Sequence, residues 1–128
     1  MGTSKIKRVY VAGAITPNGS NSTNGAIDYL FNMRNMIRVG IDVMQAGFTP
    51  YIPCWDFIVF LLLRDEERIT GPTIKRLSKD WLDVCDAMVL TPGWRKSKGT
   101  LAEIERAKET NIPVFESLEE LVKATKEE

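Results

Sequence analysis

Ser97, Gly99, Thr100 and Glu103 bring a hydroxyl pair, a glycine and a carboxylate together in one short stretch. The apolar run 87–90 just before them reads as a buried strand, and Leu101, Ile104 and Ala107 recur at helical spacing just after. A helix start offers unpaired backbone N–H groups and a partial positive charge, so Ser97, Gly99 and Thr100 stand where a phosphate would be held. Glu103, three residues in from Thr100, is expected to stay ionised there. The same residues support a plainer reading. Thr100-x-x-Glu103 has the spacing of a capping box, in which hydroxyl and carboxylate close a helix start and do no chemistry.

Composition narrows what that chemistry can be. The chain has 128 residues and no histidine, which removes Ser–His and Cys–His nucleophile pairs and all histidine metal sites. Carboxylates, hydroxyls and backbone must do the work. The 17 basic and 17 acidic residues balance, so no net field favours a nucleic acid polymer or an anionic membrane, and a small polar ligand is the expected partner. Cys54 and Cys85 lack metal-ligand or disulfide-framework spacing. No metal or cofactor is implied. A short polar N-terminus and a longest apolar run of only 57–63 predict a soluble, cytoplasmic protein. At this length one domain spanning 1–128 is expected.

The elements that must position these residues alternate. Val9, Tyr10 and Val11 form a first strand ending at Gly13. A polar loop, 16–24, is a candidate lid. A helix is expected over 25–45, with Ile27, Leu30, Phe31, Ile37, Ile41 and Met44 on one apolar face and Met33, Met36, Val39 and Val43 widening it. Gly47 supplies its C-cap. A second strand over 48–52 stops at Pro53. Residues 55–68 read as a helix whose run 57–63 suits either core or a subunit interface. A further helix from Thr70 to about Cys85 leads into the third strand, and a helix over 100–110 leads to a fourth around Val114 and Phe115. Ser117 and Glu120 open a terminal helix by a capping box. This alternation predicts an α/β fold: a small Rossmann-like, flavodoxin-like open parallel sheet of four to five strands with helices on both faces. Ligands in such folds lie at the carboxyl ends of the strands. Tyr10, Gly13, Trp55, Asp56, Trp94, Ser97 and Glu103 are thereby expected around one cleft, with Trp94 and Trp55 able to stack a nucleobase.

Three motifs, Val9-Tyr10-Val11-Ala12-Gly13-Ala14-Ile15, Trp81-Leu82-x-x-Cys85-Asp86 and Ser97-x-Gly99-x-x-x-Glu103, occur in an order that resembles the nucleoside 2-deoxyribosyltransferase superfamily. The small 2′-deoxynucleoside 5′-phosphate N-hydrolases and their short phage and bacterial relatives are the most similar members. The resemblance implies that Glu103 is a nucleophile attacking the anomeric carbon, that Ser97 with the amides near Gly99 binds a 5′-phosphate, that Tyr10 hydrogen-bonds beside the nucleophile, and that Gly13 admits the substrate close to the backbone. It implies N-glycosidic hydrolysis of a (deoxy)nucleoside 5′-monophosphate, with deoxyribosyl transfer or non-catalytic nucleotide binding as alternatives, and a homodimer or larger assembly.

One position departs from the family pattern. The aspartate that protonates the leaving base usually lies eight residues before the aspartate of the Trp-Leu motif; here that place is Ser78. The nearest carboxylate, Asp80, is two residues and about 200° of helix away. Asp80 after a shift of the helix, or Asp56 from the neighbouring loop, would have to supply the proton, or the acid is missing. Asp86 itself reads as structural.

Overall fold

In the computed structural model, residues 6–15, 25–54, 58–59 and 62–126 are described. Four strands and four helices alternate: β1 (Arg8–Ala12), α1 (Gly25–Gln45), β2 (Thr49–Tyr51), α2 (Gly71–Leu82), β3 (Ala87–Leu90), α3 (Lys98–Glu109), β4 (Val114–Phe115) and α4 (Leu118–Lys126). All strand pairs are parallel and the order is β2-β1-β3-β4. This is the small Rossmann-like open sheet that the alternation predicts. The chain runs outward from β1 to β2 and then crosses back to β3, so the order reverses between β1 and β3, where open sheets of this type leave a crevice at the strands' carboxyl ends.

Side-chain alternation along the strands divides the core into two layers. Val9, Val11, Ala87 and Val89 face α1 and α4, where Met36, Val43 and Leu121 complete one buried cluster. Tyr10, Ala12, Met88 and Leu90 face α2 and α3, packing with Leu82, Ile104 and Ala107. β1 and β3 carry no polar alternation because both of their faces are covered.

The helix ends follow from local chemistry. α1 stops in a Schellman motif: Gly47 adopts φ +99°, its amide donates to the Met44 carbonyl at 3.0 Å, and the Phe48 amide donates to that of Val43 at 3.2 Å. Thr70 caps α2, accepting from the Thr73 amide at 3.4 Å. α4 is capped as expected, the Glu120 amide donating to Ser117 Oγ at 3.2 Å. Asp86 lies at the opposite end of the sheet from the crevice. One oxygen of its carboxylate, Oδ2, accepts from the amides of Lys7 and Arg8, each at 2.9 Å, clipping the start of β3 to the start of β1. Burial works to raise the Asp86 pKa, but these two amides, together with the charges of Arg8 and Lys7, outweigh it and hold the group below its ordinary range.

Several expectations are corrected. α1 packs on the sheet with Met36, Gly40 and Val43, while Ile27, Leu30 and Phe31 are exposed. The residues read as widening the apolar face are the ones that face the core. Close approach explains this, since a Cβ at Gly40 would lie 2.3 Å from Ile52 Cδ1. The helix expected over 55–68 is absent from 62–68. There the Arg64 amide donates to Glu67 Oε1 at 2.8 Å, and Arg68 Nη1 donates to the Asp65 carbonyl at 3.1 Å, local bonds that substitute for helical ones. α2 ends at Leu82, three residues earlier than expected. The candidate lid over 16–24, together with Trp55 and Asp56, lies outside the described residues.

Gly13 follows β1 directly and is buried. A Cβ placed on it would lie 1.7 Å from Thr91 Oγ1, and the Thr91 amide donates to the Ala12 carbonyl at 2.9 Å. The missing side chain therefore lets the β1 and β3 exits close on one another. Gly13→Ala is expected to destabilise the protein by about 1–3 kcal/mol through overpacking. Gly99→Ala, where a Cβ meets nothing within 4 Å, should change stability by no more than about 1 kcal/mol, and in the stabilising direction. Urea denaturation of the two variants beside the wild type checks this; a Gly13→Ala midpoint equal to that of Gly99→Ala would refute it.

Candidate active site

Of the residues singled out from sequence, Tyr10 and Glu103 are brought into direct contact. Tyr10 lies on β1 with its side chain toward α2 and α3, fully buried. Glu103 lies in the second turn of α3, beside the buried stripe Thr100, Ile104 and Ala107, and keeps part of its surface in solvent. The Tyr10 hydroxyl donates a short hydrogen bond to Glu103 Oε2. The Glu103 carboxyl thus reaches across to the central strand and does not fold back on its own helix start.

The start of α3 explains why. The helix begins at Lys98 with Ser97 as its N-cap, so Thr100 is the third helical residue and not the cap. Ser97 Oγ accepts from the Thr100 amide at 3.2 Å and from Thr100 Oγ1 at 2.8 Å. With serine and threonine satisfying each other, Glu103 has no place in a capping box and is free to turn inward. At the other end Asn111, at φ 61°, ends the helix, and the Ile112 amide returns to the Ala107 carbonyl at 2.8 Å. A two-pronged ion pair, Arg106 Nε to Asp83 Oδ1 at 3.0 Å and Nη2 to Oδ2 at 2.9 Å, ties α3 to the end of α2.

The electrostatics differ from expectation. Glu103 is not held ionised by the helix start. The macrodipole fades within the first turn, and burial pushes the Glu103 pKa up to about 7, with the Tyr10 hydrogen bond pulling it partly back. Tyr10 is raised well above the usual phenol range by burial and by the Glu103 charge, so the phenol donates a hydrogen bond but holds its proton. A carboxyl that titrates near neutrality exchanges its proton readily under ordinary conditions.

Two further aromatic residues continue the wall. Tyr51, which pairs with Tyr10 in the strand register, stacks on it with centroids 5.6 Å apart, and Trp81 of α2 stacks on Tyr51 at 5.7 Å. Ser78 lies one turn before Leu82 on the buried face of α2. Sequence reading passed over Tyr51 as a site residue, and it marked Ser78 only as the place where a carboxylate is missing. The parallel register, which sets Tyr51 beside Tyr10, and the Ile74-Ser78-Leu82 spacing were the available signals.

The remaining candidates are placed as follows. Asp80 is exposed, two residues around α2 from buried Ser78, and so is turned away from Tyr10 and Glu103. No shift of the helix brings it in. Trp94, in the 3-10 turn Trp94–Lys96, packs against the cluster around Tyr10 and carries the Arg95 guanidinium 4.6 Å above its ring, where a stacked base would lie. Ser97 and exposed Gly99 form the helix start, about 9 Å and about 6 Å along the axis from Glu103. Gly13 is packed against Thr91 and is not open to a ligand. Asp56 and Trp55 fall outside the described residues. Among the described residues no group of three or more cysteine, aspartate or glutamate side chains is arranged to hold a metal ion, and no helix is long and apolar enough to cross a membrane.

An open parallel sheet whose central strand is joined to α3 by a part-buried Tyr–Glu hydrogen bond is the setting of the site. Residues 7–116 match the family described as a domain of unknown function, DUF4406, and the chain belongs to that family. No curated protein matches it.

Burial makes Glu103 a source of instability when charged. Its folded pKa, about 7 against an ordinary value of 4.5, lies above the unfolded one, so the stability that depends on its neutral form is fully present below about pH 4.5 and is lost as pH rises through 7. Glu103→Gln, which keeps the acceptor for Tyr10, should be more stable than wild type at pH 8, by ~3 kcal/mol at ~1.4 kcal/mol per pH unit. The gain should vanish at pH 4. Thermal unfolding at both pH values decides the matter, and an equal difference at each would contradict the assignment.

Proposed function

We propose that the protein cleaves the N-glycosidic bond of a (deoxy)nucleoside 5′-monophosphate, with Glu103 as nucleophile. The observation that carries this reading is the Tyr10–Glu103 hydrogen bond on the crevice side of β1 and α3. It holds one carboxyl oxygen and leaves Oε1 for an electrophile. Ionised Glu103 would add to the anomeric carbon as the C–N bond breaks. The base departs with the bonding electron pair and takes a proton. Water then attacks the glycosyl ester, losing a proton and returning the carboxylate with the sugar phosphate. A retaining glycosidase uses a carboxylate in this way. The Ser97 hydroxyl, whose oxygen is occupied by Thr100 but whose own proton can be donated, and the α3 amides suit the 5′-phosphate.

A non-catalytic nucleotide-binding role is the second reading. Asp80 faces solvent while Ser78 occupies the buried place on α2, and loss of general-acid help costs roughly 100- to 10,000-fold in rate. Exposed Ile27, Leu30 and Phe31 on α1 and Leu62 in the 62–70 segment favour self-assembly into a homodimer or larger species.

Incubation with a panel of nucleoside monophosphates, with free base followed by chromatography, tests the reading. Release of base from at least one of them is expected, falling by at least about 1,000-fold in Glu103→Ala. Because the nucleophile must be ionised, kcat/KM should rise with pH through about 7. Binding without base release from any nucleotide would establish the second reading in its place.

A further inference from the structure

Tyr10 has a partner in the strand register on each side: Tyr51 on β2 and Met88 on β3. Rotamer preferences set the direction of a tyrosine ring but leave its plane soft, because the terminal torsion is broad. The plane must come from packing. Met88 is a flexible thioether that adapts to what it touches, whereas the Tyr51 ring stacks on the phenol with centroids 5.6 Å and planes 27° apart. Among the described residues β2 is an edge strand, so the sheet itself gives Tyr51 little lateral support. Trp81 of α2 supplies it, stacking on Tyr51 at 5.7 Å and 23°. The plane of Tyr10 matters because a phenol O–H prefers to lie in the plane of its ring, where the oxygen conjugates with it. Turning the ring about its long axis leaves the oxygen in place and swings the proton away from Glu103 Oε2, which accepts it.

We propose that Tyr51 is a positioning residue: pinned by Trp81, its ring fixes the plane of Tyr10 and aims the phenol proton at Glu103 Oε2, so that Oε1 is presented to the substrate. The inference rests on Glu103 being the reacting carboxyl, and it asks neither Tyr51 nor Trp81 to touch the substrate. A well-aimed phenol donates best to the ionised carboxylate, which is the form that attacks. With the plane released, the carboxyl is both harder to ionise and less firmly oriented.

A double-mutant cycle separates this role from packing. In protein labelled with 13C at the glutamate carboxyl, Glu103 is assigned by the signal lost in Glu103→Gln, and its wild-type midpoint is expected at about 7. Tyr51→Leu keeps apolar bulk beside Tyr10 but has no ring to set a plane, and should raise that midpoint by about half a unit. In a Tyr10→Phe background, where no phenol proton is left to aim, the same substitution should produce no further displacement. Tyr51→Phe, which keeps the ring, should match wild type. Trp81→Leu, at a residue 51% exposed, should act as a weaker Tyr51→Leu and carries the same cycle should the latter not fold. In turnover, kcat should fall about tenfold in Tyr51→Leu with KM unchanged. Equal displacements in the two backgrounds, or none in either, would overturn the proposal, because a residue that only packs or excludes water gives one of those results. The expected cycle in a protein that cleaves no nucleotide would sustain the aiming of the phenol and sink the glycosidase reading; cleavage with a failed cycle would do the reverse.

Discussion

Putting a carboxyl between a helix and the central strand of a sheet is the constraint around which the rest of the molecule is arranged. Burial opposes ionisation of Glu103, and the opposing force available on its inner side is a neutral phenol. A hydrogen bond of that kind recovers only part of the hydration that a carboxylate loses. The group is left near the point where charged and uncharged forms are equally populated at neutral pH. A residue placed only to support a fold would rarely be held in that state, whereas perturbed titration beside a crevice marks functional sites.

The strand order produces this arrangement without special geometry. β1 and β3 are neighbours, and α3 leaves β3 on the face toward which Tyr10 points. The helix that joins β3 to β4 packs on that face beside Tyr10. Thr100, Ile104 and Ala107 fix its rotation against the sheet, and Glu103, adjacent to that stripe, arrives at Tyr10. The close pairing of Gly13 with Thr91 keeps the two strand exits together, so the placement of Tyr10 and Glu103 depends on a glycine that neither of them touches.

How much of this was legible in the sequence depended on whether a feature was local. Strand and helix alternation, the Gly47 cap and the Ser117 cap follow from residues near one another in the chain, and the structure has them all. The start of α3 was misplaced because Ser97 and Thr100 are both good caps, and only their mutual hydrogen bond decides between them. α1 offers apolar residues on more than one side, and the Gly40–Ile52 contact, a tertiary fact, selects the side bearing Met36 and Val43, with Ile37 packed at its edge. Glu103 was expected to be charged because a helix start is visible in sequence, while the depth to which the helix packs is not. The Tyr10–Tyr51–Trp81 stack spans residues far apart in sequence and needs the strand register to become visible.

The absence of histidine gives these details a common cause. A chain without imidazole that needs a proton-exchanging group near neutral pH must bring a carboxylic acid up from its ordinary range. A nearby cation would defeat this by stabilising the charge, and two arginines near α3 are engaged elsewhere. Arg106 is committed to Asp83 on α2, and Arg95 lies over Trp94 with its outer nitrogen on Glu116. Among the described residues, the hydrogen bond to the carboxyl comes from the phenol. A neutral hydrogen-bond donor of this kind offsets part of the burial penalty and leaves the carboxyl titrating near neutrality.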